Sequence, residues 1–159
     1  DVEITGTVSS EEKKELAKNY GAANVINYAR ENFVEQIRDI TQGRGVDVVF
    51  DSVGASTFYQ SIQSLKKYGL MVSYGNASGK VSAFDLGLLS GHLFITRPTL
   101  WSYVATRKEL EVTFGELLQL VMLNKIRIPI YQKKPLQDVV ALHKLMEERR
   151  TTGCSILTV

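Results

Sequence analysis

Predicted strands and helices alternate along the first half of this chain, and their order restricts the possible folds more than any other feature. Strand-like segments at residues 2–7, 24–27 and 46–51 are separated by helix-like segments at residues 10–20 and 31–41. Alternation of this kind predicts an α/β fold, in which a mostly parallel sheet carries helices on both faces. The strand at 46–51 is rich in β-branched residues without clean alternation, which indicates burial on both faces.

The later elements continue this pattern and then become less regular. A helix is predicted at 56–65 and a strand at 69–74. The remaining predicted elements are a helical turn at 85–89, a strand at 92–96, a helix at 106–123, an extended segment at 126–130, a helix at 136–149 and a strand at 155–159. Thr106 and Glu109 fit a capping box at the start of the long helix.

Both helices of the second half show apolar side chains at helical spacing, which predicts one packed face on each. The apolar positions are Leu110, Phe114, Leu117, Leu118 and Val121 in the first helix, and Val139, Val140, Leu142, Leu145 and Met146 in the second.

Composition narrows the class of protein. With 159 residues, 44% of them hydrophobic and 23% charged, the chain suits one ordinary globular domain with its own core. A net charge of +2 and short basic clusters give no support for a nucleic-acid partner. The lone Cys154 excludes an internal disulfide framework and a cysteine-based zinc site, and it favours a cytoplasmic location. No apolar run approaches the roughly 20 residues of a membrane-spanning helix, so no membrane partner is expected.

The residues after the first predicted strand bear on the choice of ligand. In a dinucleotide-binding fold, a carboxylate at this strand end selects NAD, whereas NADP needs neutral donors and a cation for its 2′-phosphate. This chain offers Ser9 and Ser10 there, with Lys13 one helical turn later and no acid before Glu11. The pattern favours NADP. The glycine-rich loop that should precede this strand is absent, so we expect the chain to start after it.

Polar residues and glycines also follow the other predicted strands. Because ligands bind beyond the carboxyl ends of parallel strands, these positions are candidates for binding. They are Tyr28, Ser52, Val53, Gly54, Gly75, Asn76, Thr96 and Arg97. Tyr28 could stack on an adenine or be a plain surface aromatic, and the glycines could approach a ligand or merely form turns. The occurrence of several such residues at one edge favours a binding site.

Other candidates leave two interpretations open. Asp51 either anchors a hydrogen bond near a cofactor or caps the next helix. His143 is interpreted as a structural histidine on or near the packed side of its helix, and His92 shows no metal-ligand spacing. Trp101 and Tyr103 could form an aromatic pocket wall, contact a second copy, or simply pack. No metal site and no catalytic acid or base is predicted.

A series of ordered motifs resembles one family. The motifs are residues 6–13 (GTVSSEEK), 25–28 (VINY), 45–54 (GVDVVFDSVG), 69–76 (GLMVSYGN), 96–98 (TRP) and a C-terminal set comprising Tyr131, Pro135, Ala141, His143, Glu148, Arg149, Thr152 and Gly153. They resemble quinone oxidoreductases of the zinc-independent, zeta-crystallin-like branch of the medium-chain dehydrogenase/reductase superfamily. The resemblance covers essentially the whole chain.

The resemblance implies NADPH as the cofactor and assigns roles along its length. Ser9 and Lys13 would hold the 2′-phosphate, with Tyr28 against the adenosine end. Ser52 and Val53 would line the dinucleotide path. The positions nearer the nicotinamide would be Tyr74, Gly75, Asn76, Ile95 and Thr96, and Arg149 would also lie near the cofactor. The activity implied is hydride transfer from NADPH to a quinone or an α,β-unsaturated carbonyl, with no residue of this chain acting as an acid or base.

The resemblance also implies missing parts. The fold would be a Rossmann-like, doubly wound sheet lacking its first βα unit, within a partial NADP-binding domain spanning 1–159. The N-terminal catalytic domain with a GroES-like fold would be absent, so we expect the fragment by itself to be inactive. The strand at 155–159 normally returns to that domain, and here it is expected to be unpaired or paired with another copy. A homodimer through the 92–97 region is expected.

Two other functions remain open. One is a zinc-dependent alcohol dehydrogenase of the same superfamily, whose metal ligands would lie mostly in the absent domain. The other is a non-enzymatic crystallin or RNA-binding role, which the near-neutral charge does not favour.

Overall fold

The computed structural model describes residues 2–159, which divide into two compact units with the boundary after Ser102. The first unit contains β1 (Thr5–Val8), α1 (Glu11–Asn19), β2 (Asn24–Asn27), α2 (Phe33–Ile40), β3 (Val46–Asp51), α3 (Phe58–Gln63), β4 (Leu65–Ser73), a 3-10 helix (Leu86–Leu89) and β5 (Phe94–Thr96). A short helix, α4 (Leu100–Tyr103), lies at the boundary. The second unit contains α5 (Arg107–Met122), β6 (Ile130–Pro135), a 3-10 turn (Leu136–Asp138), α6 (Val139–Glu147) and β7 (Cys154–Thr158).

Local sequence signals determine where the helices begin. The Ser10 side chain accepts a hydrogen bond from the Lys13 N–H at 3.3 Å and caps α1. Asn32 caps α2 in the same way, accepting from the Val34 N–H at 3.1 Å. At α5 the predicted capping box is confirmed, because Thr106 and Glu109 exchange side-chain and backbone hydrogen bonds.

All paired strands run parallel, which confirms the predicted α/β class. The first unit has a two-stranded sheet, β1-β2, and a three-stranded sheet in the order β3-β4-β5. In the doubly wound order 3-2-1-4-5-6, these sheets match positions 3-2 and 4-5-6. No strand among residues 2–159 occupies position 1, which lies between positions 2 and 4 in this order. The edges of β1 and β3 that would face position 1 therefore have no partner strand among those residues. Residues 2–159 therefore form a Rossmann-like fold in which the described strands occupy every position of that order except position 1.

Two apolar clusters form the core of the first unit. Ile26 of β2 packs with Phe33, Val34 and Ile37 of α2. The second cluster joins α3 to β4 through Phe58, Ile62 and Met71, and Met71 is completely buried. Each cluster therefore fastens one sheet to a covering helix, as a layered α/β fold requires.

The burial predicted for β3 on both faces is wrong. Phe50 is 72% exposed and Val48 is also exposed, although Asp51 at the strand end is buried. Val48 and Phe50 are two positions apart and so lie on the same face of β3, and neither belongs to a core cluster of the described chain.

The apolar faces predicted for the second half form helices as expected but are mostly not buried. Phe114 of α5 is 54% exposed, and no residue of α5 is buried. In α6 only Leu142 is buried, whereas Val140 and Met146 are exposed. The periodicity correctly predicted the two helices. The second unit is small, however, and offers too little surface to cover the apolar faces of both α5 and α6.

The prediction that residues 155–159 are unpaired or pair with another copy is wrong. β7 pairs in parallel with β6 of the same chain, from Ile130 opposite Cys154 to Pro135 opposite Thr158. The extended segment predicted at 126–130 is also displaced, because the strand begins at Ile130 and runs to Pro135.

Candidate functional site

The carboxyl ends of the parallel strands gather most of the candidate residues. Val8 lies opposite Asn27 at the end of β1-β2, and Asp51 lies opposite Ser73 at the end of β3-β4. Val72 lies opposite Thr96, so β5 ends at the same edge as β4. The structure thus brings Thr96, the last residue of β5, together with the segments after β3 and β4, which contain Ser52, Val53, Tyr74, Gly75 and Asn76.

Asp51 anchors the loop that follows β3. The residue is 4% exposed, and one carboxylate oxygen accepts from the N–H groups of Val53 at 2.8 Å and Gly54 at 3.0 Å. The other oxygen accepts from the hydroxyls of Thr57 at 2.8 Å and Ser61 at 2.7 Å. Four donors therefore hold this buried carboxylate, which fastens both the loop and the start of α3.

The loops after β3 and β4 are joined by direct hydrogen bonds. The Val53 carbonyl accepts from the Ser78 N–H at 2.7 Å and from its hydroxyl at 2.8 Å. The Ala77 N–H donates to the Ser52 carbonyl at 3.3 Å, and the Ala55 N–H donates to the Gly79 carbonyl at 3.1 Å. These hydrogen bonds join residues 52–54 and 74–79 into one continuous segment of surface, which is called the ridge below. Sequence reasoning missed Ser78, because a hydroxyl in a loop gives no sign of its distant partner.

Two glycines permit this close approach. A Cβ at Gly75 would overlap the Ser52 carbonyl oxygen and lie 2.7 Å from its carbonyl carbon. A Cβ at Gly54 would lie 2.7 Å from the Gly79 carbonyl oxygen, and the φ of Gly54 is +90°. Both glycines are thus needed where the two loops touch.

Arg97 lies directly after β5 and reaches across to the end of β4. Its guanidinium donates to the carbonyls of Ser73 at 2.9 Å and Gly75 at 3.1 Å. Sequence reasoning placed Arg97 at the strand edge but assigned it no role. A cation immediately after a strand and before Pro98 was the available signal.

The end of the two-stranded sheet has its own polar contact. Asn27 is 1% exposed, and its side-chain amide donates to the Glu11 carboxylate at 2.7 Å. This hydrogen bond is the main reason that the pKa of Glu11 is lowered from its ordinary value. The acid nearest the end of β1 is therefore engaged by Asn27. Sequence reasoning missed Asn27, whose role depends on a residue 16 positions earlier in the chain.

The other candidates in the first unit lie at or near this edge. Ser9 and Lys13 are half-buried where α1 begins. Tyr28 is half-buried and packs against the Ile26–Phe33–Val34–Ile37 cluster, so its ring is partly engaged by the core. Ile95 packs against the second cluster, whereas Ser52, Tyr74, Asn76 and Thr96 are exposed.

Four further candidates lie outside this group of residues. Arg149 belongs to the second unit, follows α6 and has a φ of +57°. His143 is exposed, so its predicted place on the packed side of its helix is wrong. Trp101 is 78% exposed, which does not support simple packing, and His92 stacks on Tyr68 with ring centroids 5.2 Å apart.

Neither a metal-ligand cluster nor a membrane-spanning helix is found among residues 2–159. Within residues 2–159, no three side chains of histidine, cysteine, aspartate or glutamate come together in a way that could hold a metal ion. Among those residues, no helix has the length and apolar character needed to cross a membrane.

Comparison with known proteins gives consistent matches. A family model described as zinc-binding dehydrogenase matches residues 1–120. Quinone oxidoreductase 1 of Escherichia coli strain K12 is 42% identical over 158 residues, which are 97% of this chain and 48% of that protein. A 2-haloacrylate reductase from Burkholderia sp is 40% identical over 158 residues, 97% of this chain and 47% of that protein.

Solved structures agree with these matches. The crystal structure of Escherichia coli quinone oxidoreductase complexed with NADPH has a TM-score of 0.93 and 42% identity, and it covers 99% of this chain and 49% of that one. A mycobacterial protein, Rv1454c, complexed with NADPH has a TM-score of 0.92 and 34% identity, over 99% of this chain and 50% of that one. The chain spans about half the length of the curated relatives that it matches.

Proposed function

Because the chain belongs to the zinc-binding dehydrogenase family, we propose that it is the NADPH-binding part of an oxidoreductase that reduces a quinone or an α,β-unsaturated carbonyl. The observation that carries this proposal is the ridge formed by residues 52–54 and 74–79 at the carboxyl edge of a parallel sheet. Ligands bind at this edge in doubly wound folds. Similarity to quinone oxidoreductases, including one solved with NADPH, supports the choice of cofactor and substrate.

The residues present fit an NADP-type dinucleotide. Ser9 and Lys13 are half-buried at the start of α1, where a neutral donor and a cation suit a 2′-phosphate. The nearest carboxylate, Glu11, is engaged by the Asn27 amide. Reduced nicotinamide supplies a hydride when it is bound. This chain's own residues would bind and orient it, and none is assigned a proton transfer.

The proposed contacts follow the edge from one sheet to the other. Ser9, Lys13 and Tyr28 would hold the adenosine 2′-phosphate end, and Ser52 and Val53 would line the middle. Tyr74, Gly75, Asn76, Ile95 and Thr96 would lie nearer the nicotinamide. The exposed positions of Ser52, Tyr74, Asn76 and Thr96 leave them accessible to a ligand.

Replacement of Lys13 by alanine tests the cofactor assignment. We expect the affinity for NADPH to fall about 10- to 100-fold, because a charge-assisted contact to the 2′-phosphate is lost, with NADH binding changed less than about twofold. Titration of each nucleotide by fluorescence measures both affinities. Lys18→Ala, on the exposed part of the same helix, is the control. Equal losses for NADPH and NADH would contradict a role at the 2′-phosphate.

We also propose that the reaction needs no zinc ion held by this chain. The proposal rests on the donor set, since residues 2–159 bring no three metal-ligating side chains together. Zinc analysis of the active protein, before and after chelation, tests this. Activity that disappears on chelation and returns with zinc would favour the alternative, a zinc-dependent alcohol dehydrogenase.

A homodimer through the 92–97 region is the proposed assembly. β5 is the outer strand of its sheet, and Phe94 is 58% exposed on it. An edge strand with an exposed aromatic side chain suits pairing with a second copy. We expect sedimentation to give twice the 17.8 kDa chain mass, and Phe94→Lys to shift it to the monomer. Tyr20→Lys, at another exposed aromatic residue, should leave the dimer intact; a monomeric parent chain would refute the proposal.

A further inference from the structure

The guanidinium of Arg97 joins three acceptors at the end of β4. Nη1 donates to the Ser73 carbonyl at 2.9 Å and to the Gly75 carbonyl at 3.1 Å. The hydrogen-bond network also assigns the amide of Asn76, whose oxygen accepts from Nη2 at 3.1 Å. In the same orientation, the amide nitrogen of Asn76 donates to the Gly75 carbonyl at 2.8 Å. One side chain from beyond β5 thus contacts the last residue of β4 and two residues of the loop that follows it.

The geometry of these bonds requires a guanidinium. Two nitrogens of one rigid planar group serve three acceptors, an arrangement that a single ammonium on a flexible stem reproduces poorly. The same loop continues into residues 77–79, where the N–H groups of Ala77 and Ser78 donate to the carbonyls of Ser52 and Val53, and the Gly79 carbonyl accepts from the Ala55 N–H. Arg97 therefore holds a loop that is itself hydrogen-bonded to the other half of the ridge.

We propose that Arg97 is a positioning residue: its guanidinium holds the 74–79 loop against the sheet edge and fixes the orientation of the Asn76 amide. Within residues 2–159, Arg97 makes no ion pair with a carboxylate, so its partners are carbonyl and amide oxygens. The part that concerns a nucleotide rests on the proposed function, whereas the part that concerns the loop does not.

The first arm of the test needs no nucleotide. Amide hydrogen exchange is measured at Ala77, Ser78 and Gly79, whose N–H groups are all hydrogen-bonded in the ridge. In Arg97→Ala we expect these amides to exchange about tenfold faster, while amides of α2 stay unchanged. Arg44→Ala is the matched control, because it removes an exposed arginine that precedes β3, at the opposite end of the strands. Unchanged exchange at residues 77–79 would overturn the proposal.

The second arm measures NADPH affinity in Arg97→Ala, Asn76→Ala and the double variant. If Arg97 acts through Asn76, each single change weakens binding about tenfold, and the double variant loses little more than either. Losses that multiply to about a hundredfold would overturn the coupling between the two residues. A wild-type chain that does not bind NADPH would refute the proposed function, and hydrogen exchange would then decide the role of Arg97 alone.

Arg97→Lys separates positioning from simple charge. This variant keeps the positive charge and a similar stem, so it is expected to fold even where alanine does not. A positioning role predicts fast exchange and weak NADPH binding in the lysine variant, with added guanidinium ions restoring part of the binding in Arg97→Ala. Full recovery by lysine would show that charge alone matters and would overturn the proposal.

Discussion

Replacement of Asp51 by alanine is expected to lower the free energy of unfolding by about 3–5 kcal/mol. The buried carboxylate accepts four hydrogen bonds, from the N–H groups of Val53 and Gly54 and the hydroxyls of Thr57 and Ser61. Alanine would remove this acceptor from all four donors, although the Thr57 hydroxyl keeps the Gly54 carbonyl at 3.3 Å. Each unsatisfied buried donor costs about 1–3 kcal/mol before the structure relaxes. Denaturant unfolding of the purified chain measures the loss.

Asp51→Asn separates the hydrogen bonds from the charge. The amide keeps one acceptor oxygen and can donate to a hydroxyl, so we expect a smaller loss of about 1–2 kcal/mol. Asp39→Asn, at an exposed position of α2, is the control and should change stability by less than about 0.5 kcal/mol. An Asp51→Ala variant as stable as the parent would show that water replaces the lost acceptor and that Asp51 does not anchor the loop.

Replacement of Gly75 by alanine is expected to destabilise the chain by about 2–3 kcal/mol and to weaken NADPH binding at least tenfold. The added methyl group would overlap the Ser52 carbonyl and force the loops after β3 and β4 apart. The φ of Gly75 lies outside the left-handed region, so the contact itself is the cause rather than backbone strain. Thermal unfolding and nucleotide titration measure the two effects.

Gly115→Ala is the matched control for this substitution. Gly115 lies inside α5, and a Cβ there meets no atom within 4 Å. Alanine should therefore stabilise the chain by about 0.5–1 kcal/mol through helix propensity. If Gly75→Ala behaves like Gly115→Ala, the two loops are not packed as the structure describes.

The main elements of the first unit could be predicted from local pattern. The strands at 24–27 and 46–51 have the predicted bounds, and the capping box predicted at Thr106 and Glu109 is present at the start of α5. These features depend on residues within one or two turns of each other, which is the range that capping and periodicity describe. Burial was less predictable, because Phe50 and Phe114 are exposed for want of a covering neighbour.

The sequence by itself determined the parallel α/β class, the edge at which ligands should bind and the types of residue found there. Only the tertiary structure decided how that edge is built: Asp51 reaches into α3, Ser78 joins Val53, and Arg97 fixes Asn76. The physical reason is range. Propensities and caps act between near neighbours in the chain, whereas these contacts join residues up to 25 positions apart. Only the packing of strands and helices brings such residues within hydrogen-bonding distance.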